Sequence, residues 1–478
     1  MKRTKVLATI GPASESEEVL SKMIKAGLNA VRCNFSHGSA DDHRQRIKLI
    51  RKVAKKMGVT IGILGDLQGP KIRVSKFKDK KVLLEKGAEF TLDADQSVDS
   101  GDAKSVGIDY KALPQDVKKG DVLLLDDGKV VLTVKSVNGN KVLTEVTVGG
   151  ILSNNKGINK QGGGLTAPAL TEKDKEDIIL AAELEVDYLA VSFPRDGKDM
   201  DEARTLIKEA GWEYASLVSK IERVEAVTNI DEIIDASDAV MIARGDLAVE
   251  VGQENVPAIQ KMIIEKTREK DKIAITATQM MESMISCPTP TRAEVSDVAN
   301  AVLDGTDVVM LSAETAAGDY PVETIQQMSR TCEAAEKSDL VSIVKKMNIE
   351  RQYERVDTAV AMAAVYLANH ISVKAIVSLT ESGASTRWMS RLNTKLPIYG
   401  LTRNKDTKGR MTLFRGVEPI QFDSTRMPRF YVNRSAVEEL VKRGVVQEGD
   451  WVILTSGDHM GLHGGTNKIK VVQVGNVV

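Results

Sequence analysis

Two short runs decide the fold: Ala215-Ser-Leu-Val-Ser-Lys-Ile-Glu-Arg223 and Asp238-Ala-Val-Met-Ile-Ala-Arg-Gly-Asp246. Each is an apolar stretch of strand length that ends in charged residues and then gives way to a helical pattern. A buried parallel strand delivers polar groups to the carboxyl edge of a sheet in this way. Lys220 and Glu222 stand two residues apart and so share one side of a strand. Glu222 and Asp246 close neighbouring strands with two carboxylates near one ammonium. Hard oxygen ligands of this kind suit Mg2+, which takes one or two carboxylates and completes its shell with water and substrate oxygens. The plain alternative is a salt bridge at two strand ends, and on these runs alone both readings stand.

Outward from there, strand–helix alternation is visible on both sides. Strand patterns occupy Lys5–Pro12, Asn29–Gly38 and Thr60–Asp66, then Val186–Phe193, the two runs above, Lys272–Thr278 and Asp307–Ser312. Eight strands, each followed by a helix, is the count of a (β/α)8 TIM barrel, where catalytic groups collect at the carboxyl ends of the strands. Those ends carry Arg32, Asn34, Asp66, Lys220, Glu222, Asp246, Thr278 and Ser312. Thr278 and Ser312 also read as simple helix caps.

The alternation breaks between Pro70 and Ala167. Short β-like runs there are separated by Asp127-Gly128 and Asn138-Gly139, both strong hairpin signals. This predicts an inserted β-barrel with two nearby chain crossings, able to move as a lid. Beyond about residue 345, strand-like runs near 374–380, 396–402, 418–423, 450–455 and 468–474 alternate with helical patterns and predict an open α/β domain. The expected division is 1–69 with 168–344 for the barrel, 70–167 for the lid and 345–478 for the third unit. Within that unit Thr380, Glu381, Ser382, Gly383, Ser385 and Thr386 follow a strand and open a helix, as a phosphate pocket does. The Gly-rich stretch Ser456–Thr466 is placed to close over it, and a plain tight turn is the alternative.

The net charge of −1 over 478 residues argues against a nucleic-acid binder. Cys33, Cys287 and Cys332 form no Cys-x-x-Cys pair, so neither a disulfide framework nor a zinc site is indicated. No signal-like segment precedes the first strand, and no apolar run reaches the roughly 18 residues needed to span a bilayer. A cytoplasmic protein with no membrane partner is the expectation.

The chain resembles the pyruvate kinase family, and its bacterial branch most, over essentially its whole length. The resemblance rests on Arg32-Cys-Asn-Phe-Ser-His-Gly38, Gly65-Asp-Leu-Gln-Gly-Pro-Lys-Ile-Arg73, Asn155-Lys-Gly157, Ser219-Lys-Ile-Glu222, Ala243-Arg-Gly-Asp246, Ala277-Thr-Gln-Met-Met-Glu-Ser-Met284 and Leu311-Ser-Ala-Glu-Thr315. It implies phosphoryl transfer from phosphoenolpyruvate to ADP, yielding ATP and pyruvate, with Mg2+ or Mn2+ on Glu222 and Asp246. It further implies that Arg32 and Lys220 flank the moving phosphoryl group and that Ala243, Arg244, Gly245 and Asp246 bind substrate. Thr278 would stand next to the enolate carbon, with Ser312 on the following strand ordering a relay of hydroxyls and water, and water as the proximate proton donor. Asn34, His37, Arg73 and Lys156 would meet the nucleotide.

Many members bind K+ through positions matching Asn34, Ser36, Asp66 and Leu67, with Glu where this chain has Lys71. Lys71 brings its own cation to that neighbourhood, so K+ is expected to be dispensable. The resemblance also implies a sugar phosphate or AMP as effector at the Thr380–Thr386 loop, although Ala384 stands where many members have Arg, and a homotetramer. Two rivals share features: another Mg2+-enolate barrel enzyme, for which the lid cations have no role, and a catalytically silent metabolite sensor, against which the charged strand ends argue.

Overall fold

A computed structural model describes residues 2–338, 352–392, 394–458 and 464–476. Eight parallel strands close into a ring: β1 (Lys5–Thr9), β2 (Ala30–Asn34), β3 (Gly62–Asp66), β4 (Tyr188–Val191), β5 (Ser216–Ile221), β6 (Ala239–Ala243), β7 (Ile273–Ala277) and β8 (Val308–Leu311). β8 pairs with β1 to shut the barrel. β1, β3, β4, β6, β7 and β8 are buried along their whole length, which is why they read as continuous apolar runs rather than alternating ones. The helices between them carry their own start signals. Ser39, Thr171 and Thr291 each cap a helix in a reciprocal box with Asp42, Asp174 and Glu294, satisfying backbone N–H groups that would otherwise lack partners.

Between β3 and β4 the chain builds an all-β unit. Six strands form one sheet in the order 158–160, 122–125, 130–138, 141–148, 89–93, 105–107, and 81–84 pairs separately with 150–153. All eight enclose one apolar core that includes Phe90, Leu123, Leu132, Val142 and Leu152. The inserted barrel expected from sequence is thus drawn as two sheets around a shared core. Both hairpin signals are used: Asp127 and Gly128 take positive φ between 122–125 and 130–138, and Gly139 does so after Asn138.

The C-terminal unit is a five-stranded sheet in the order 417–421, 398–402, 375–379, 451–457, 466–473, with only the last strand antiparallel. It stoppers the amino-terminal end of the barrel. Leu7, Leu64, Tyr188, Met241, Ile275 and Met310 inside the barrel share one core with Trp388, Met389, Met411, Phe414 and Ile453. Polar contacts ring this core: Arg391 forks onto the buried Asp307, Tyr188 Oη donates to the Arg410 carbonyl, and Lys5 Nζ donates to the Val417 carbonyl at 2.6 Å. The boundary expected at 344/345 lies outside the described residues, as does the middle of the 456–466 stretch.

Asp187, just before β4, is partly buried at this junction. Burial pushes its carboxyl up to about 7, against the Ile63 N–H that donates to it at 2.8 Å. The folded protein therefore keeps a proton that the unfolded chain releases near its ordinary value. Between roughly pH 4 and pH 7 the folded state binds more protons, so this group makes stability fall as pH rises through that window. Asp187→Asn keeps an acceptor for Ile63 and removes the ionisation. Its thermal midpoint is expected to exceed that of the parent by several degrees at pH 8, with the gap shrinking toward pH 4; a gap independent of pH would contradict this.

Candidate active site

The carboxyl ends of β2, β3, β4 and β5 meet in one ionic cluster. Asp66 is fully buried and accepts from Arg32 Nε at 2.5 Å through one oxygen, while Lys220 Nζ lies 3.3 Å from the other. Thr9, the last residue of β1, accepts from Arg32 Nη1 at 3.1 Å. Lys220 also lies 3.0 Å from Glu222 Oε1 and donates to Ser192 Oγ at 2.7 Å. Burial by itself would raise the Asp66 carboxyl, but the two cations outweigh it and hold it below its ordinary value. Burial opposes charge on Lys220 as well, yet Asp66 and Glu222 raise its ammonium above the usual range. Lys220 is a fixed, permanently charged group.

Glu222 is different. Burial pushes it up to about 6 in spite of Lys220, with Asp246 and Asp66 adding repulsion. Its second oxygen accepts from Phe193 N at 3.0 Å. Phe193 itself has φ +55°, a left-handed conformation costly for a bulky residue. That bend turns the Ser192 hydroxyl to Lys220 and the Phe193 N–H to Glu222. Ser192 in turn donates to the Leu67 carbonyl at 2.8 Å.

Asp246 lies in the first turn of helix Arg244–Val251, which begins at the end of β6 and not three residues later as the sequence pattern indicates. Glu222 and Asp246 are within electrostatic reach of each other, and their mutual repulsion is what a divalent ion relieves. This donor set fits Mg2+ with further ligands from substrate and water, and no third acid is needed. Among the described residues no group of three or more acidic, His or Cys side chains is arranged to hold a metal.

Lys71 departs from expectation. The sequence reading sets it beside Asn34, Ser36, Asp66 and Leu67, but its ammonium lies 2.9 Å from Asp246 Oδ1. The Gly69–Lys71 turn, closed by a 2.9 Å hydrogen bond from Lys71 N to the Gly69 carbonyl, and the lid at Gly157 packed against Lys71 Cε account for that direction. The four remaining positions are engaged locally: Asn34 Oδ1 accepts from Ser36 N at 3.2 Å, Asp66 holds Arg32 and Lys220, and the Leu67 carbonyl takes Ser192.

Thr278 immediately follows β7 with φ +69°, and Gln279 comes next at +55°. A β-branched residue in that region is strained by about 1–3 kcal/mol. Arg244 clamps the bend: its Nη2 donates to the Thr278 carbonyl at 2.8 Å and its Nε to the Ala277 carbonyl at 3.2 Å, while Asp297 orients the guanidinium at 2.7 Å. The Gly245 N–H, expected to face substrate, donates to Thr278 Oγ1 at 2.9 Å. Ser312 sits at the end of β8 with its N–H on the buried Glu314 carboxylate at 2.6 Å, and no hydrogen bond joins its hydroxyl to Thr278. On the lid, Lys156 pairs with Asp126 at 2.9 Å and Arg73 Nη1 donates to the Asn155 carbonyl at 3.0 Å. Asn34 and His37 line a separate cavity of about 810 Å³ with Thr9, Pro12 and Arg46.

In the C-terminal unit Thr380, Glu381, Ser382 and Ser385 line a cleft with Arg403 and Thr466. Gly383 and Thr386 do not line it; Gly383 supplies the left-handed turn at φ +82°, and Thr386 is buried beneath, donating to the Gly383 carbonyl. Glu381 is held by Arg403 at 3.1 Å and Asn404 at 2.9 Å, so the one arginine among the described lining residues is already paired.

The sequence reading passes over Ser192 and Thr9, although each ends a barrel strand like the residues it does select. Asp126, Asp297 and Glu314 are found only through their contacts.

A closed parallel barrel with cations and carboxylates converging at its carboxyl edge defines an enzyme acting on an anionic substrate. Comparison with known proteins makes the class specific. Residues 1–325 match the family model for the pyruvate kinase barrel domain, and residues 358–472 match that for the pyruvate kinase alpha/beta domain. The chain is 53% identical to pyruvate kinase II of Salmonella typhimurium, covering 99% of both proteins. It is 53% identical to pyruvate kinase of Haemophilus influenzae over 96% of each, and 39% identical to that of Clostridium acetobutylicum over 98% and 99%. The chain belongs to the pyruvate kinase family and is a phosphotransferase. No helix among the described residues is long and apolar enough to cross a membrane.

Ser192→Ala removes a hydrogen bond to a charged group, a contribution of about 1.5–3 kcal/mol. Turnover is expected to fall by roughly 10- to 100-fold with KM for the phosphoryl donor little changed, as steady-state assays would reveal.

Proposed function

We propose that the chain transfers the phosphoryl group of phosphoenolpyruvate to ADP, forming ATP and pyruvate, at the cluster of Arg32, Asp66, Lys220 and Glu222. The observation that carries this reading is the Lys220 ammonium, raised in pKa and held from three sides by Asp66, Glu222 and Ser192. Phosphoryl transfer asks for alignment and charge neutralisation more than for covalent chemistry. A rigid cation at the site where an enolate oxygen is left behind answers that need.

Arg32 and Lys220 bracket the phosphoryl group, with Asp66 fixing the distance between them. Glu222 and Asp246 would hold Mg2+ or Mn2+, which supplies Lewis-acid stabilisation to substrate oxygens. The backbone of Ala243, Arg244 and Gly245 meets the substrate carboxylate, which displaces the Thr278 hydroxyl from the Gly245 N–H. Thr278, freed in this way, stands beside the enolate carbon and orders the water that protonates it, with Ser312 as its neighbour on the following strand. Asn34 and His37 receive the nucleotide in their cavity, and Arg73 and Lys156 on the lid meet its phosphates when Lys156 exchanges Asp126 for them.

The working units are the barrel (1–69 and 168–344), the lid (70–167) and a regulatory unit (345–478). The Thr380–Thr386 cleft would take a phosphorylated effector, a sugar phosphate or AMP. Cytoplasmic glycolysis as a homotetramer is the setting that fits this reading.

Lys220→Met should reduce the rate of ATP formation in a lactate dehydrogenase-coupled or luciferase assay by about 10²–10³ or more. An undiminished rate would remove the assignment. Lys71, paired with Asp246, adds a positive charge at the barrel mouth, and Arg32 and Lys220 already engage Asp66, so activity is expected without K+. Lys71→Glu should make the rate dependent on K+; strong K+ stimulation of the parent enzyme would contradict the idea.

A further inference from the structure

A second cluster of cations lies at the opposite end of the barrel. Arg3, Arg268 and Arg415 line a cavity between barrel and C-terminal sheet, together with Ser390, Thr394 and Gly416. The cavity is small, with a volume of about 20 Å³ open to the centre of a water-sized sphere. Arg415 is 7% exposed, and neither its Nε nor its Nη2 has a hydrogen-bond partner among the described residues. Arg268 is 9% exposed. A buried guanidinium without a counter-ion costs several kcal/mol, so such a group is kept only where something answers it.

The nearby acids are already engaged. Glu336 accepts from Arg3 N at 2.9 Å, Thr4 N at 2.5 Å and Thr4 Oγ1 at 2.7 Å. Asp307 accepts a forked pair from Arg391 and the Ala274 N–H at 2.8 Å, leaving Arg268 at 3.6 Å from its outer oxygen. Arg3 and Arg268 are held mainly through carbonyls: Arg3 Nη1 donates to Thr394 O at 2.9 Å and Nη2 to Glu336 O at 3.1 Å, with its Nε 3.6 Å from the Glu336 carboxylate, and Arg268 donates to Gly305 O at 2.9 Å and Arg391 O at 3.1 Å. Each of these arginines therefore stays in position without a ligand, while positive charge exceeds negative around the cavity. Burial, with Arg391 and Arg415 adding repulsion, pushes the Arg268 guanidinium down to about 10 despite Asp307. Burial lowers Arg415 too, and Arg3 and Arg391 oppose what Glu336 and Asp307 restore. The contrast with the Thr380–Thr386 cleft is plain, since there Arg403 is paired with Glu381.

We infer that the cavity lined by Arg3, Arg268 and Arg415 binds a tetrahedral oxyanion, either inorganic phosphate or the phosphoryl group of a small metabolite, and that the bound anion ties the barrel to the C-terminal unit. The planar fork of Arg415 supplies two donors on one edge, which suits oxyanion geometry. Ser390 and Thr394 provide neutral hydroxyls on the C-terminal side of the same cavity. The anion would bridge residues from both ends of the sequence.

Full-length protein crystallised without phosphate or sulfate and soaked in selenate tests the location directly. A selenium anomalous peak within hydrogen-bond distance of Arg415 Nε and Nη2 is the expected result. Selenate peaks elsewhere in the crystal with none in this cavity would overturn the inference. In solution, phosphate at constant ionic strength should raise the thermal midpoint in a saturable way. Arg415→Met should lose at least half of that shift, whereas Arg403→Ala, in the effector cleft, should keep it. An undiminished shift in Arg415→Met would also overturn the inference. Repeating the parent and Arg415→Met titrations with a hexose monophosphate, the Thr380–Thr386 cleft being intact in both, separates the two sources: a shift that Arg415→Met diminishes with phosphate alone assigns the free ion, and one it diminishes with both assigns the phosphoryl group.

Discussion

One buried carboxylate holds the catalytic edge together. Asp66 receives Arg32 from β2 and Lys220 from β5, and so fixes the spacing of two cations that would repel each other if left alone. Asp66 is out of water altogether, so the interaction is weakly screened, and removing either partner from such a pair typically costs about 3–5 kcal/mol. Everything else at the barrel mouth is arranged around this triad. Thr9 steadies Arg32, Ser192 steadies Lys220, and the strained Phe193 bend passes the same order to Glu222. The cations are therefore in place before substrate arrives, and little reorganisation is left for the moment of reaction.

Much of this architecture is visible in the amino-acid order because parallel barrel strands are buried on both faces. Continuous apolar runs ending in charge, such as Ser216–Ile221 followed by Glu222, leave few other readings, and the observed strands end within three residues of the expected ends except β2, which stops at Asn34, four residues before Gly38. What stays hidden is pairing across the fold. Lys71 and Asp246 are 175 positions apart, and only the path of the Gly69 turn and the packing of the lid bring them together. Small hydroxyls are hidden for a different reason. Ser192 and Thr9 have no charge or spacing to mark them, and their importance comes from the cation each one touches. The stopper at the barrel's far end is equally silent, since Met411 and Phe414 read as ordinary core residues of their own sheet.

The charged groups also divide by mobility. Lys220 and Arg32 are walled in by Asp66, whereas Lys71 and Lys156 sit in half-exposed pairs with Asp246 and Asp126. Half-exposed pairs exchange partners at small energetic cost. The fixed cations belong to the barrel and the exchangeable ones to the inserted β unit or its approach, so a change of partner there can alter the field at the mouth without disturbing the inner triad.

The stoppered barrel has a bearing on how such a chain can be cut or recombined. Because Leu64, Tyr188 and Ile275 complete their packing only with Met389, Met411 and Phe414, the two units share a single apolar interior. A protease that severed the connection would not release two soluble halves. It would leave a nicked assembly, or else fragments with greasy faces bared to water. Swapping the C-terminal unit between relatives thus means trading a piece of the barrel's own inside, and compatibility at that buried seam decides which chimeras fold.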